Sequence, residues 1–276
     1  VVCVTEVGES LYNFYGYVVE GVYESLEDIE NSPKTAKHPA NGVYNRANTV
    51  WVGDLKYKDI NEDGVINDQD RTDIGSPLPK FTFGWNNTFR YKGFDLNIFL
   101  NGSYGNKVLN YSLMNGPSGG LASMRSAWVN QNATAIKDRA ILAPIDPDKV
   151  YESGNWYDDI TNVKVVNSGT KTPRPTLNDP NDNDRLSTRY IEDGSYLRIK
   201  NLTLGYTFPK KWMQKIKFDN IRIYCNIQNL YTFTKYSGYD PEVGASTQDS
   251  SGYAYGVDNG RYPSPTTYSF GVSLTF

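Results

Sequence analysis

The chain has 276 residues, 38% of them hydrophobic and 14% aromatic, with a net charge of -3 and a mean hydropathy of -0.57. That charge leaves no footprint for a nucleic-acid partner, two cysteines are too few for a disulfide scaffold, and no run of about 18 apolar residues marks a transmembrane helix. A membrane barrel stays open, because barrel strands are only half apolar and their loops are polar; the 22 Tyr and five Trp suit interfacial girdles and glycan-binding surfaces alike.

The opening V-V-C-V-T has neither Met nor a signal peptide, so the chain reads as an internal or C-terminal part of a longer protein. Residues 1–79 read as one long connecting region. Inside it, Asp59 to Asp70 spell D-I-N-E-D-G-V-I-N-D-Q-D, the spacing of an EF-hand-type calcium loop with Asp at the twelfth place instead of Glu. Asp59, Asn61 and Asp63 offer side-chain oxygens, Gly64 permits the sharp turn, Val65 offers its carbonyl, Asn67 acts through a water, and Asp70 closes the site. Ca²⁺ is a hard cation that takes six to eight oxygens. The extended Lys56-Tyr57 before the loop and Gly75-Ser76-Pro77 after it point to a structural tie, not a sensor. The competing reading is a solvated acidic turn whose Asp and Asn side chains cap their own backbone. His38, the single histidine, reads as solvated.

Five later segments alternate apolar and polar residues, the mark of half-buried strands. The first runs from Lys80 to Tyr91, with Phe81, Phe83, Trp85, Phe89 and Tyr91 on one face and Asn87 the polar exception. Lys92-Gly93 is a two-residue hairpin turn. The second, Phe94 to Gly105, sets Phe94, Leu96, Ile98 and Leu100 on one face against Asp95, Asn97, Phe99 and Asn101. The stretch from Asn106 to about Gly194 is a long loop rich in Pro, Asp and Asn, with one short helix around Gly120 to Gln131. The third strand, about Ser195 to Phe208, shows Leu202, Leu204, Tyr206 and Phe208; carried backwards, that parity reaches Lys200 and Arg198, which are placed above the lipid zone. The fourth, from Asn220 to about Tyr231, sets Ile221, Ile223, Cys225 and Ile227 against Arg222, Tyr224, Asn226 and Gln228. Cys225 thus reads as a buried or lipid-facing thiol. The last, Thr267 to Phe276, sets Tyr268, Phe270, Val272, Leu274 and Phe276 against small polar residues.

Two connections are short, Lys92-Gly93 and Pro209 to Asp219, and they alternate with long ones before Lys80, across 106–194 and across 232–266. Transmembrane barrels alternate in this way, with short periplasmic turns and long extracellular loops. Five strands cannot close a barrel, whose smallest membrane form has eight, so the sheet needs strands from elsewhere. No G-x-S-x-G, H-E-x-x-H or P-loop occurs. The acidic pairs Asp158-Asp159 and Asp182 with Asp184 lie in polar loops, and the chain reads as no enzyme.

Four stretches carry a resemblance: G-D-L-K-Y-K-D-I-N-E-D-G-V-I-N-D-Q-D-R-T-D-I-G-S-P-L-P-K-F-T-F-G-W, R-Y-I-E-D-G-S-Y-L-R-I-K-N-L-T-L-G-Y-T-F-P at Arg189 to Pro209, N-I-Q-N-L-Y-T-F-T-K-Y-S-G-Y-D-P-E-V at Asn226 to Val243, and the terminal Y-S-F-G-V-S-L-T-F. Together they resemble the C-terminal part of the SusC/RagA family of TonB-linked (TonB-dependent) outer-membrane transporters of Bacteroidetes. The resemblance implies an all-β fold: about five C-terminal strands of a large, 22-stranded antiparallel transmembrane β-barrel. It implies residues 1–79 as extracellular loop region, 80–276 as barrel strands, and loops 106–194 and 232–266 outside the cell. It implies import of oligosaccharides, or of peptides, under a SusD-like lipoprotein lid, driven by the TonB complex through an N-terminal part absent from this chain. Outer-membrane lipid would then touch Phe94, Leu96, Ile98, Leu100, Leu202, Leu204, Ile221, Ile223, Phe270, Val272, Leu274 and Phe276. The competing function is a secreted calcium-binding all-β module for glycan binding or adhesion.

Overall fold

The computed structural model describes residues 2–115, 138–151, 155–176, 179–213, 218–244 and 255–276; the helix expected around Gly120 to Gln131 lies outside them. In chain order the elements are β1 (Cys3–Val4), β2 (Asn13–Gly16), β3 (Val19–Val22), α1 (Leu26–Glu30), β4 (Lys34–Thr35), β5 (Leu55–Tyr57), β6 (Val65–Ile66), β7 (Thr72–Gly75), β8 (Phe81–Tyr91), β9 (Phe94–Tyr104) and β10 (Lys107–Asn110). There follow α2 (Tyr111–Asn115), β11 (Leu142–Pro144), β12 (Val163–Val165), β13 (Ile191–Asp193), β14 (Tyr196–Thr207), α3 (Lys210–Met213), β15 (Asn220–Thr234), β16 (Val257–Asp258) and β17 (Thr267–Thr275). The chain divides into two compact units. The first comprises Val1–Ser76, Leu109–Glu192 and Ala245–Gly260, and the second Pro77–Val108, Asp193–Gly244 and Arg261–Phe276.

The second unit holds the five long strands as one antiparallel sheet in the order β17-β15-β14-β9-β8. Directly opposed residues share a face, so the register sorts the side chains. Leu96 faces Phe89 and Leu204, Leu204 faces Cys225, and Cys225 faces Phe270, which makes one apolar band across all five strands. On the other face Asn97 faces Thr88 and Thr203, and Thr203 faces Asn226. Their amides and hydroxyls bond one another: Asn97 Nδ2 donates to Asn86 Oδ1 (2.8 Å) and Thr88 Oγ1 (2.9 Å), and Thr203 Oγ1 to Asn226 Oδ1 (2.9 Å). Glycines on this polar face give room to large neighbours. A Cβ at Gly271 would strike the Tyr224 ring, and one at Gly205 would strike both Asp95 and Arg222. Without a side chain at 205, the Arg222 guanidinium on β15 crosses β14 to grip the Asp95 carboxylate on β9, at 3.0 and 2.6 Å.

The third long strand departs from strict alternation. The register shifts between Ile199 and Asn201, so Ile199 lies opposite Leu100 and joins the apolar face. Arg198 lies opposite Asn101 and Thr232 and turns to the polar face. It therefore does not continue the apolar parity, as the sequence pattern had it. The extra residue at Lys200 is a β-bulge, and a bulge reverses the facing of everything beyond it.

The first unit buries its apolar residues in two clusters. The larger gathers Val19, Tyr23, Ile29, Trp51, Leu55, Tyr57, Ile66, Ile160 and Val163, and the smaller centres on Phe14, Leu109 and Tyr190. Trp51, Leu55 and Ile29 are fully buried, each contributing about 1.5–3 kcal/mol or more relative to exposure. Both clusters thus join distant stretches of the chain, Val19 with Val163 in the larger and Phe14 with Leu109 and Tyr190 in the smaller, with short two-strand ribbons such as β3–β5 and β11–β12 beside them.

Candidate functional site

The acidic loop follows β5, contains β6 at its centre and leads into β7. Glu62 (φ 59°) and Gly64 (φ 80°) both adopt left-handed backbone, which turns the chain sharply twice. Asp59 Oδ2 accepts from Gly64 N (2.7 Å), Asn61 Oδ1 from Asp63 N (3.2 Å), and Asp63 Oδ1 from Val65 N (2.8 Å). Asp70 is fully buried and accepts from Ile60 N (2.9 Å) and Asn67 N (2.7 Å), while Asn67 Oδ1 accepts from Gln69 N (2.8 Å). Ile66 reaches the larger core cluster. β6 also pairs in parallel with β4, where Lys34 N donates to Gly64 O (2.8 Å). His38 holds β4 in turn: its Nδ1 accepts from Thr35 N (2.8 Å), and half-burial keeps the imidazole pKa below its ordinary range. The sequence had read His38 as solvated; it is half-buried and braces the β4 turn.

This arrangement meets the needs of a hard cation at several points and departs at others. Asp59 Oδ1 is buried with no hydrogen-bond donor, an expensive state for a carboxylate oxygen unless a cation faces it. The carboxylates of Asp59, Asp63 and Asp70 and the amide oxygen of Asn61 keep free lone pairs beside the N–H groups they accept. The Val65 carbonyl accepts weakly from Asn67 Nδ2 (3.3 Å). Among the described residues, however, no three His, Cys, Asp or Glu side chains converge as a cage by themselves. A cation here needs Asn61 and the Val65 carbonyl as well as the acids.

A second loop, Asp179 to Asp184, repeats the first half of this geometry and was read from sequence only as a polar stretch. Asp179 Oδ2 accepts from Asp184 N (3.1 Å), five residues on, as Asp59 does from Gly64, and Asp182 (φ 51°) takes the left-handed place of Glu62. Here an internal donor sits between the acids. Asn183 Nδ2 donates to Asp179 Oδ1 (2.7 Å) and Asp54 Oδ1 (3.3 Å), while its Oδ1 accepts from Leu55 N (2.7 Å). Arg174 neutralises Asp54 at 2.9 Å, both side chains being buried. Burial pushes the Asp179 carboxyl up to about 6, against the donors from Asn183 and Asp184 and with the negative Asp54 and Asp184 adding to the rise. The other acids weighed from sequence are engaged or dispersed: Asp158 pairs with Arg46, Asp159 with Lys149, and Asp182 is largely exposed.

The apolar residues read from sequence as lipid-facing lie on one face of the sheet. Phe94, Leu204, Ile223, Phe270, Val272, Leu274 and Phe276 are 43–92% exposed. Leu96, Ile98, Leu100, Leu202 and Ile221 are partly covered by their neighbours. At one end of β14, sequence reasoning missed a buried ion cluster. Arg198, 2% exposed, donates to Asp240 (2.5 Å), Glu242 (2.8 Å) and Thr232 (2.8 Å), so the Tyr239-Asp240-Pro241-Glu242 segment is tied to the sheet. The register shift at Lys200 makes this possible, and no local pattern announces it.

No protein-family model matches the chain. It is similar to TonB-dependent receptor P3 of Formosa agariphila, with 32% identity over 98% of this chain and 22% of that protein, and to TonB-dependent receptor P26 of the same organism, with 30% identity over 98% and 23%. TonB-dependent receptor SusC of Bacteroides thetaiotaomicron is 26% identical over 80% of this chain and 17% of its own length. The chain therefore spans about a sixth to a quarter of the length of these curated relatives. Among solved structures, the RagAB peptide transporter matches the whole chain with a TM-score of 0.62 at 20% identity, over 24% of the matched chain. The RagAB peptide importer in the open-open state matches with 0.54. The likeness extends to the fold: the five long strands correspond to part of the wall of a large antiparallel barrel.

Proposed function

We propose that this chain, a stretch of a SusC/RagA-type TonB-dependent receptor by its likeness over 98% of its length, supplies wall strands and outer loops of an outer-membrane nutrient importer. The observation that carries the reading is the two-faced sheet. One face presents exposed Phe, Leu, Ile and Val across five strands, and the other a ladder of Asn, Thr and Ser. Hydrocarbon accepts the first and a wet lumen the second, and an antiparallel barrel satisfies the backbone polar groups between them. A secreted adhesion module would have to cover the same apolar face with a second sheet; among the described residues it bears none.

The cargo we propose is an oligosaccharide. A peptide is the second reading, supported by the solved neighbours described as peptide importers. A SusD-like lipoprotein would close the outer mouth and TonB would supply the energy. In the acidic loop we propose one structural Ca²⁺ held by Asp59, Asn61, Asp63, the Val65 carbonyl and Asp70, with Asn67 acting through water; the donorless Asp59 Oδ1 supports this. The cation would tie the loop to the β4–β6 ribbon without taking part in any chemistry.

Deleting the intact receptor should abolish uptake of labelled oligosaccharide, and a lipoprotein should co-purify with it. Uptake unchanged for every glycan and peptide tested would sink the import reading. Calorimetry of the intact protein should register one Ca²⁺ site that Asp59→Ala removes; a silent titration at millimolar calcium rejects the site.

A further inference from the structure

At the end of the sheet remote from the Lys92-Gly93 turn, two loop segments are held against the polar face. Arg198, turned to that face by the bulge at Lys200, bonds Thr232 on β15 and both Asp240 and Glu242 in the segment after it. Asp240 Oδ2 also accepts from Ser264 N (3.2 Å), and Arg261 donates to the Glu242 carbonyl (3.1 Å), so 239–242 and 261–264 lie side by side. Asn229 near the end of β15 fastens the second segment again: its Nδ2 donates to Pro265 O (3.1 Å), and its carbonyl accepts from Thr266 Oγ1 (2.9 Å). Tyr236 is buried with its ring over Gly238, where a Cβ would strike it.

Two side chains on this braced platform stand uncovered. Tyr239, next to Asp240, is 75% exposed, and Tyr262, next to Arg261, is 84% exposed. Their backbone is fixed in advance by an ion cluster that gives up hydration to hold it, so a ligand meeting the rings does not have to order the loop. The setting is wet. The platform is tied to Arg198 on the polar face, away from the band of Leu96, Leu204 and Phe270. Beside the rings stands the Glu242 carboxylate, 44% exposed and 3.7 Å from Lys200. Residues 236–243 and 261–266 carry no aliphatic side chain except Val243 and the prolines. A protein partner fills its interface centre with apolar contacts, which this surface does not offer. A sugar ring brings an apolar C–H face for an aromatic ring and hydroxyls for a charged rim, and both are present here.

We infer that Tyr239 and Tyr262 form a stacking platform for the sugar rings of an oligosaccharide, with Glu242 accepting from a hydroxyl. The inference rests on the oligosaccharide reading of the cargo and gives that cargo a contact on the wet side of the wall. Tyrosine suits the task because a rigid ring loses little freedom on binding.

The test is calorimetric titration of the intact receptor in detergent with maltoheptaose, cellohexaose, laminarihexaose and mannohexaose, and separately with a casein peptide digest. At least one glycan should bind. Tyr239→Ala and Tyr262→Ala should each weaken that binding about fivefold, the size of one aromatic contact, whereas Tyr239→Phe and Tyr262→Phe should keep most of it. Unchanged glycan affinity in both alanine variants overturns the platform and leaves the import reading standing. Equal losses in the phenylalanine and alanine variants overturn stacking as the mode of contact. If the alanine variants keep their glycan affinity but no longer co-purify with a lipoprotein, the surface belongs to a protein partner instead. Binding of the peptides and of none of the glycans removes the oligosaccharide reading and the platform with it, as does binding of neither. Heat-modifiable gel mobility, read in parallel, reports assembly; where an alanine variant loses it, Tyr239→Gln or Tyr262→Gln takes its place in the comparison.

Discussion

The two units of this chain use the same residue types to opposite ends. In the first, Trp51, Leu55, Tyr57 and Ile29 are closed off completely, and even Asp54, Asn181 and Asn183 are fully buried among hydrogen-bond partners. In the second, Phe94, Phe270, Val272 and Leu274 stand exposed, while the polar residues of the other face bond one another. A residue's hydrophobicity therefore does not say whether it belongs to a core. Its solvent does, and the solvent we propose for the sheet's apolar face is hydrocarbon.

Substitutions can break this contrast, and the largest effect should come from the packed unit. Trp51→Ala should cost about 3–5 kcal/mol, because it leaves a large cavity in a close-packed core; a loss below about 1 kcal/mol in chemical unfolding of the intact protein would mean that the unit is not packed as described. In the sheet, a charge is the damaging change. Ile98→Arg should cost about 2–4 kcal/mol at bilayer depth and appear as lost heat-modifiable barrel, and normal assembly in that variant would return the sheet to a water-soluble setting.

Acid should sharpen the contrast in the packed unit. The Asp179 carboxyl holds its proton up to about pH 6 when folded but only to about 3.9 when unfolded. Its contribution is therefore most favourable below about pH 4, is lost as pH rises towards 6, and stays level above. The total is of order 3 kcal/mol, read as the difference in unfolding free energy between the unaltered protein and Asp179→Asn from pH 4 to 7. A parallel course for the two proteins would refute it. The smallest effect should be Leu274→Ala on the exposed face, on the order of 0.5 kcal/mol, against about 2–5 kcal/mol for Leu55→Ala in the core. Equal losses at the two leucines would erase the distinction between the units.

Much of the sheet is legible in the sequence because a strand's faces follow from a period of two. The β8 and β9 alternation, the Lys92-Gly93 turn with φ of 47° and 90°, and the last strand all follow from neighbours in the chain. The acidic loop is legible for a related reason: its spacing from Asp59 to Asp70 brings the oxygens together within twelve residues. The Asp179 loop escaped notice because Asp184 replaces the glycine that marks such turns, and because its partners Asp54 and Leu55 lie more than a hundred residues away.

What the sequence by itself determined is local: which segments are strands, which side of each strand is apolar, where the tight turn falls and where acids cluster. Tertiary structure alone decided that Val19 shares a cluster with Val163 and Phe14 with Leu109, that the shift at Lys200 turns Arg198 towards Asp240, and that Asn183 sits between two carboxylates. The physical reason is range. Backbone geometry repeats every two residues and can be read in a line, whereas burial and charge pairing depend on which distant segments meet, and that is settled only when the whole chain has packed.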